Sequence, residues 1–197
     1  MYVKICGLSE PAHVAAAVEA GADAVGFVMT RSTRRVSPGR AAELAALVPA
    51  HVLTVGVFRG EDPETVRAAA LASGVRAVQL HGRHPHADFV ALKDLGVTLL
   101  RAVDSTADLR CGAYDEDLLL VDAPHAGSGQ PWDWAAVRGR PSGRWLLAGG
   151  LAPGNVAEAI AAAGPWGVDV SSGVESAPGV KDPALIEAFL KAVRGAA

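Results

Sequence analysis

A compact (β/α)8 barrel is the architecture this 197-residue sequence predicts, and three observations predict it. Short apolar runs recur eight times, and Ala-rich stretches with helix punctuation fall between them. The runs are mostly continuous rather than alternating, so both faces of the sheet must be covered, which marks a parallel sheet wrapped in helices. No shift of composition marks a boundary, so the chain is expected to form a single domain over residues 1–197. Barrels of this class typically take about 250 residues, so the connections here must be short. An open doubly wound sheet is the rival. A G-x-G-x-x-G after the first strand would strengthen it, and "CGLSEP" is not that pattern.

The elements follow in order. Strands are expected at about 2–6, 23–28, 52–58, 76–80, 98–103, 117–122, 144–148 and 167–170. The first helix, "PAHVAAAVEAG", opens at Pro11 and stops at Gly21, the usual asymmetry of helix ends. "SPGRAAELAALVP" has Ser37 before Pro38 and ends at Pro49. "DPETVRAAALASG" offers Asp62 as a cap, Pro63 at the first helical position and Gly74 as a stop. The helix after the fifth strand, around 104–110, is weak, and the sixth, near 131–138, is short. "PGNVAEAIAAAG" and "DPALIEAFLKAVRG" repeat the pattern, for close to eight helices.

Composition narrows the function classes. Half the residues are hydrophobic, and a chain of this size buries roughly 70% of its extended surface. The net charge of −3 is spread out, with no Lys/Arg run of the kind that grips a nucleic-acid backbone. The local cluster "RSTRR" suits a small anion instead. Cys6 and Cys111 are too few for a disulfide scaffold, so a reducing, cytoplasmic setting is expected. The N-terminus has no signal-peptide pattern, and no apolar stretch approaches the ~20 residues that span a bilayer. A soluble protein without membrane or nucleic-acid partners is expected. The oligomeric state, monomer or homodimer, is not set by the sequence.

Active sites of such barrels lie at the carboxyl ends of the strands, so the last residue of each strand and the few after it carry the information. Strand 1 ends at Cys6. Alternation puts Lys4 on the same side, where it could favour the thiolate; a buried small hydrophobe is the other reading of this cysteine. Strand 2 runs into "MTRSTRRVSP", whose Arg31, Arg34 and Arg35 suit a carboxylate or phosphate, or else form a solvated basic loop. Strand 4 ends "VQLHG", with Gln79 and His81 on one face. His81, His84 and His86 fit a flexible loop rather than a metal site, since Cys and acidic partners are missing nearby. Strand 6 closes on Asp122. Apolar walls there would raise its pKa and let it hold a proton, as a general acid must; a turn-closing Asp is the alternative. The following "APHAGSG" is Gly-rich, and His125 is a weak candidate contact.

Strands 7 and 8 lead into "LLAGGLAPGN" and "VDVSSGVES", where barrels most often hold phosphate. Gly149 and Gly150 permit close backbone approach. Ser171, Ser172 and Gly173 offer successive N–H groups and hydroxyls. The residues thus point to a small phosphorylated substrate, a thiol base facing a carboxyl acid, and an isomerase that moves a proton between carbons. No metal motif and no nucleotide fingerprint are present.

The blocks "VKICGL", "GADAVGFV", "RSTRRVSP", "VGVF", "VQLHG", "GSGQPWDW", "LAGGLAPGNV" and "GVDVSSGVES…PGVKD" together resemble the phosphoribosylanthranilate isomerase family of tryptophan biosynthesis. They occur in family order from residue 3 to about residue 182. The resemblance implies a (β/α)8 TIM barrel that performs an Amadori rearrangement without metal or cofactor. N-(5-phosphoribosyl)anthranilate becomes 1-(2-carboxyphenylamino)-1-deoxyribulose 5-phosphate. It implies Cys6 as general base, Asp122 as general acid and Arg34 as partner of the anthranilate carboxylate. Gly149, Gly150, Ser171, Ser172 and Gly173 would hold the phosphate, Asp169 would lie near the ribose hydroxyls, and His81 would play a supporting part.

The sequence departs from the family pattern twice. Thr33 stands where Pro is common, followed by both Arg34 and Arg35, which leaves two arginines as candidates for the carboxylate. The loop after Asp122 is shorter than usual. Two alternatives remain: a dual-substrate isomerase that also acts on the histidine-pathway aminoaldose, and a non-catalytic phosphate-binding barrel. Cys6 argues against the first, because such barrels carry Asp at that position. Retention of both Cys6 and Asp122 argues against the second.

Overall fold

The computed structural model describes residues 1–124 and 131–196. Eight parallel strands close in sequence order into a barrel: β1 (Tyr2–Cys6), β2 (Ala24–Val28), β3 (Leu53–Phe58), β4 (Ala77–His81), β5 (Thr98–Asp104), β6 (Leu118–Asp122), β7 (Trp145–Leu147) and β8 (Gly167–Val170). β1 pairs β8 with Lys4 beside Asp169, and pairs β2 with Cys6 beside Gly26. Each expected strand forms, with ends moved by at most one residue.

The helices form where their caps foretell. Ser37, Asp62 and Asp182 accept backbone N–H bonds at the starts of α2 (Pro38–Ala45), α3 (Pro63–Ser73) and α6 (Pro183–Gly195), each with Pro in the first turn. α1 (Pro11–Glu19), α4 (His86–Leu92) and α5 (Val156–Ala163) complete six α-helices among the described residues, fewer than the close to eight expected. After β6 a single 3-10 turn, Trp134–Val137, takes the place of the short sixth helix.

The weak helix expected around 104–110 is absent. Asp104 accepts from the N–H and hydroxyl of Thr106, and Asp108 accepts from the N–H of Arg110, so both acids close their own turns. The buried Arg101 donates to the Asp108 and Arg110 carbonyls and to Glu116, pinning the loop in a non-helical path. An unforeseen hairpin, β9 (Glu175–Ala177) with β10 (Val180–Lys181), rises after β8.

Alternation divides the core in two. Outward residues such as Ile5, Val25 and Phe27 pack beneath the helices, while Ala24, Val55, Val57, Ala77, Leu100 and Leu118 fill the barrel. The upper interior is polar, with Lys4, Gln79, Asp122 and Asp169 all buried. Among the described residues no helix is long and apolar enough to cross a membrane.

Candidate functional site

Cys6 ends β1 with its thiol turned into the barrel and 7% of the residue exposed. The neighbouring strand β2 carries Gly26 beside Cys6, where an added Cβ would lie 2.9 Å from the sulfur, so a bare backbone makes the thiol's room. Lys4, one rung below and fully buried, donates to Asp169 Oδ1 at 2.6 Å. Burial pulls the Lys4 ammonium down, but Asp169 and Cys6 outweigh it and hold its pKa above the ordinary value. Burial pushes the Cys6 thiol up. Lys4 and Lys181 draw it back only in part, and the net shift is upward. The expectation that Lys4 favours the thiolate is right in direction, yet desolvation outweighs that pull.

Asp122 ends β6. Burial raises its carboxyl to about 6, against the opposing hydrogen bond in which Ala123 N–H donates to Oδ1 at 2.8 Å. This is the acid shift that the apolar walls predicted. His81 Nε2 stands 3.6 Å from Asp122 Oδ2. Burial, aided by the charge of Arg59, lowers the imidazole to about 4. The ring is therefore neutral near pH 7, and the contact is dipolar, not an ion pair. The other two loop histidines face different carboxylates: His84 meets Asp88 and His86 meets Asp115, each at 2.9 Å.

The loops after β7 and β8 close the other side. Gly149 has φ +85°, and a Cβ there would lie 2.7 Å from both Ala123 N and Asp122 Oδ1, so only glycine lets this loop back onto the acid. Gly173 packs so tightly against the Leu151 carbonyl that a Cβ would collide with it, which brings the two loops together. The backbone N–H groups of Gly149, Gly150, Ser171, Ser172 and Gly173 meet no acceptor among the described residues. The four that line one cavity, those of Gly149, Gly150, Ser171 and Ser172, are suited to form an anion cradle.

Arg34 reaches this mouth from the loop after β2. Its Nε and Nη2 donate to Glu175 Oε1 and Oε2 at 2.6 and 2.9 Å. It lines both the cavity over the cradle and the adjoining one over Cys6. Arg35 is exposed and lines neither, which separates the two candidate arginines. The cavities share Arg34, Asp122, Asp169 and Ser171, so they adjoin across these side chains.

The structure therefore brings together Cys6, Arg34, His81, Asp122, Gly149, Gly150, Asp169, Ser171 and Ser172. Gly173 lines neither cavity with its own atoms and serves by packing. Ser171 differs from expectation in one respect: its hydroxyl donates to the Cys6 carbonyl at 3.1 Å and accepts from Lys181 at 3.2 Å, so its N–H is the group left for an anion. His125 and the "GSGQ" part of the next loop lie outside the described residues.

Four residues went unassigned by sequence reasoning. Arg59 and Gln79 both line the cavity over Cys6; the period-two pattern puts Gln79 on the face of His81 without giving it a role. Glu175 and Lys181 carried no usable signal, because their meeting depends on the unforeseen hairpin.

A family model described as N-(5'-phosphoribosyl)anthranilate (PRA) isomerase matches residues 3–192. An N-(5'-phosphoribosyl)anthranilate isomerase of Paracoccus denitrificans is 45% identical over 203 residues, covering 95% of this chain and 94% of that protein. The crystal structure of TrpF from Jonesia denitrificans is 48% identical with a TM-score of 0.91, covering 100% of this chain and 98% of that one. A phosphoribosyl anthranilate isomerase crystallised with reduced 1-(o-carboxyphenylamino)-1-deoxyribulose 5-phosphate is 36% identical with a TM-score of 0.86, covering 99% of each chain.

Proposed function

The chain belongs to the N-(5'-phosphoribosyl)anthranilate isomerase family, and from that premise we propose how its barrel mouth carries out the isomerisation. The reaction is the Amadori rearrangement of phosphoribosylanthranilate in tryptophan biosynthesis.

The substrate phosphate rests on the N–H cradle of Gly149, Gly150, Ser171 and Ser172, with Gly173 holding the two loops in contact. Arg34 faces the anthranilate carboxylate, with its Nη1 unused by any partner among the described residues. Asp169, whose Oδ1 is held by Lys4, turns the rest of its carboxylate toward the ribose hydroxyls. Asp122 donates its proton to the furanose ring oxygen; the C1–O bond breaks, and an iminium forms between C1 and the anthranilate nitrogen. The Cys6 thiolate then takes the proton from C2, giving an enolamine. Loss of the enol proton and protonation of C1 yield the ketone. The acid has given one proton and the base has taken one, so one proton passing from thiol to carboxylate resets the pair. His81, neutral beside Asp122, adds no charge that would strip the acid of its proton.

The observation that carries this reading is the pairing of two buried ionisable side chains, Cys6 and Asp122, in one cavity that adjoins the cradle. We place the enzyme in the cytoplasm, as a monomer or homodimer, in keeping with its two unpaired cysteines. The test follows the loss of phosphoribosylanthranilate fluorescence with the purified protein, beside a parallel assay on the histidine-pathway aminoaldose. Turnover of the first alone is expected. No turnover of the first would overturn the reading, and comparable turnover of both would make the enzyme dual-substrate.

A further inference from the structure

Glu175 sits at the start of the hairpin beyond β8, its side chain 5% exposed. All of its accepting capacity is filled. Oε1 accepts from Arg34 Nε at 2.6 Å and from Lys181 Nζ at 2.7 Å. Oε2 accepts from Arg34 Nη2 at 2.9 Å and from Gly179 N–H at 3.1 Å. Burial alone would raise this carboxyl, but the bonds from Arg34 and Lys181 prevail and hold it at about 2, so it stays ionised. A carboxylate so occupied has nothing left to offer a substrate or a metal.

Lys181 is also buried, and its ammonium donates to the Ser171 carbonyl at 2.7 Å as well as to Glu175. Ser171 in turn donates its hydroxyl to the Cys6 carbonyl. A chain of hydrogen bonds thus runs from Arg34 through Glu175, Lys181 and Ser171 to the strand that bears Cys6. The hairpin turn closes on the same loop from outside: a Cβ on Gly179 would lie 2.9 Å from the Thr33 carbonyl oxygen. Buried ion pairs contribute little net stability compared with apolar residues of similar volume, so cohesion alone is a weak account of this one. Its geometry has a clearer consequence. With Nε and Nη2 clamped, the Arg34 guanidinium cannot swing, and Nη1 is the prong left for a ligand.

We propose that Glu175 is a positioning residue for substrate recognition: it fixes the plane of Arg34 so that the guanidinium meets the aromatic carboxylate, while Lys181 ties the same network to Ser171 and the Cys6 strand. The proposal rests on the assignment of Arg34 to that carboxylate. Glu175 acts through Arg34, and Lys181 acts through Ser171, so the two should separate kinetically.

The experiment compares phosphoribosylanthranilate with phosphoribosylaniline, which lacks only the carboxylate. Arg34→Met is the control for the underlying assignment, and it should raise KM for the first substrate and not the second. Glu175→Gln should do the same, raising KM for phosphoribosylanthranilate about tenfold, the scale of one weakened charged hydrogen bond, with kcat nearly unchanged. Lys181→Met should lower kcat on both substrates alike. Melting temperatures are recorded for each variant. If Glu175→Gln does not fold, Glu175→Asp, which keeps the charge but shortens the reach, must show the same substrate discrimination. Equal losses on both substrates for the Glu175 variants, or no loss, would overturn the proposal. Equal losses for Arg34→Met would instead overturn the assignment beneath it.

Discussion

The ends of β1 and β6 present two buried ionisable groups that burial treats alike and their neighbours treat differently. Cys6 and Asp122 are both largely shielded from water, and both are pushed toward their neutral forms. Against the carboxyl, among the described residues, stand a neutral imidazole and one N–H donor, with Asp169 raising its pKa and Arg59 and Lys4 lowering it. Near the thiol lie two ammonium groups, Lys4 and Lys181, whose charge draws the thiol's pKa down without cancelling its burial. Desolvation alone suits an acid, because it keeps the proton on. It handicaps a base, and at Cys6 two buried cations, Lys4 and Lys181, work against it, while at Asp122 Arg59 and Lys4 oppose burial more weakly than the Ala123 N–H does. Near neutral pH Asp122 is mostly ionised and Cys6 mostly protonated, so in the proposed mechanism the productive pair is a minority form.

Removing each group is the strongest way to break this comparison. Cys6→Ser and Asp122→Asn should each cut turnover at least ~10²-fold, the scale for losing a general acid or base, while product-analogue binding survives. Steady-state kinetics beside a calorimetric titration would show it, and near-normal turnover in either variant removes that residue from its role.

The comparison sharpens in stability. The folded pKa of Asp122 lies above its unfolded value of 3.8, so its carboxyl costs nothing below about pH 4; the cost grows as pH rises and is complete above about 6. Asp122→Asn should therefore stabilise the protein by up to about 3 kcal/mol at about pH 8, with the gain vanishing at about pH 4. Denaturant unfolding at the two pH values measures this, and an equal change at both would place the effect in packing.

Two glycines set a smaller contrast. Gly149→Ala drives a methyl into Asp122 and must also hold a positive φ, so a loss of roughly tenfold in kcat is expected. Gly26→Ala meets the sulfur of Cys6 with no such backbone strain, and the loss should be smaller. Kinetics with the order reversed would mean that the thiol's position is the tighter constraint.

The barrel was legible because continuous apolar runs and Ser, Asp, Pro and Gly at helix ends act locally, and every strand formed. The meeting of Cys6 and Asp122 in one cavity was legible because strand ends in such a barrel converge on one face. What was not legible depended on distant partners. Arg101 pins the loop after β5 out of a helix through carbonyls seven and nine residues on. Ser171's hydroxyl is turned to Cys6, 165 residues away, and Lys181 and Glu175 meet only through a hairpin that follows the last barrel strand. The net direction of the Cys6 shift was also hidden, because it is a balance between burial and two cations that no spacing along the chain expresses.

The most direct test of the acid–base pair is the pH dependence of kcat/KM for the wild type and Asp122→Asn. With the acid near 6 and the thiol higher, the wild-type profile should rise with pH up to about 6 and then stay level until the thiol itself ionises, because protonated acid is lost as fast as thiolate is gained. In Asp122→Asn the break near 6 should disappear, and the residual rate should climb steadily with pH. A break near 6 that survives in the variant would belong to the substrate phosphate, whose second ionisation lies at about 6, and would contradict the assignment of that break to Asp122.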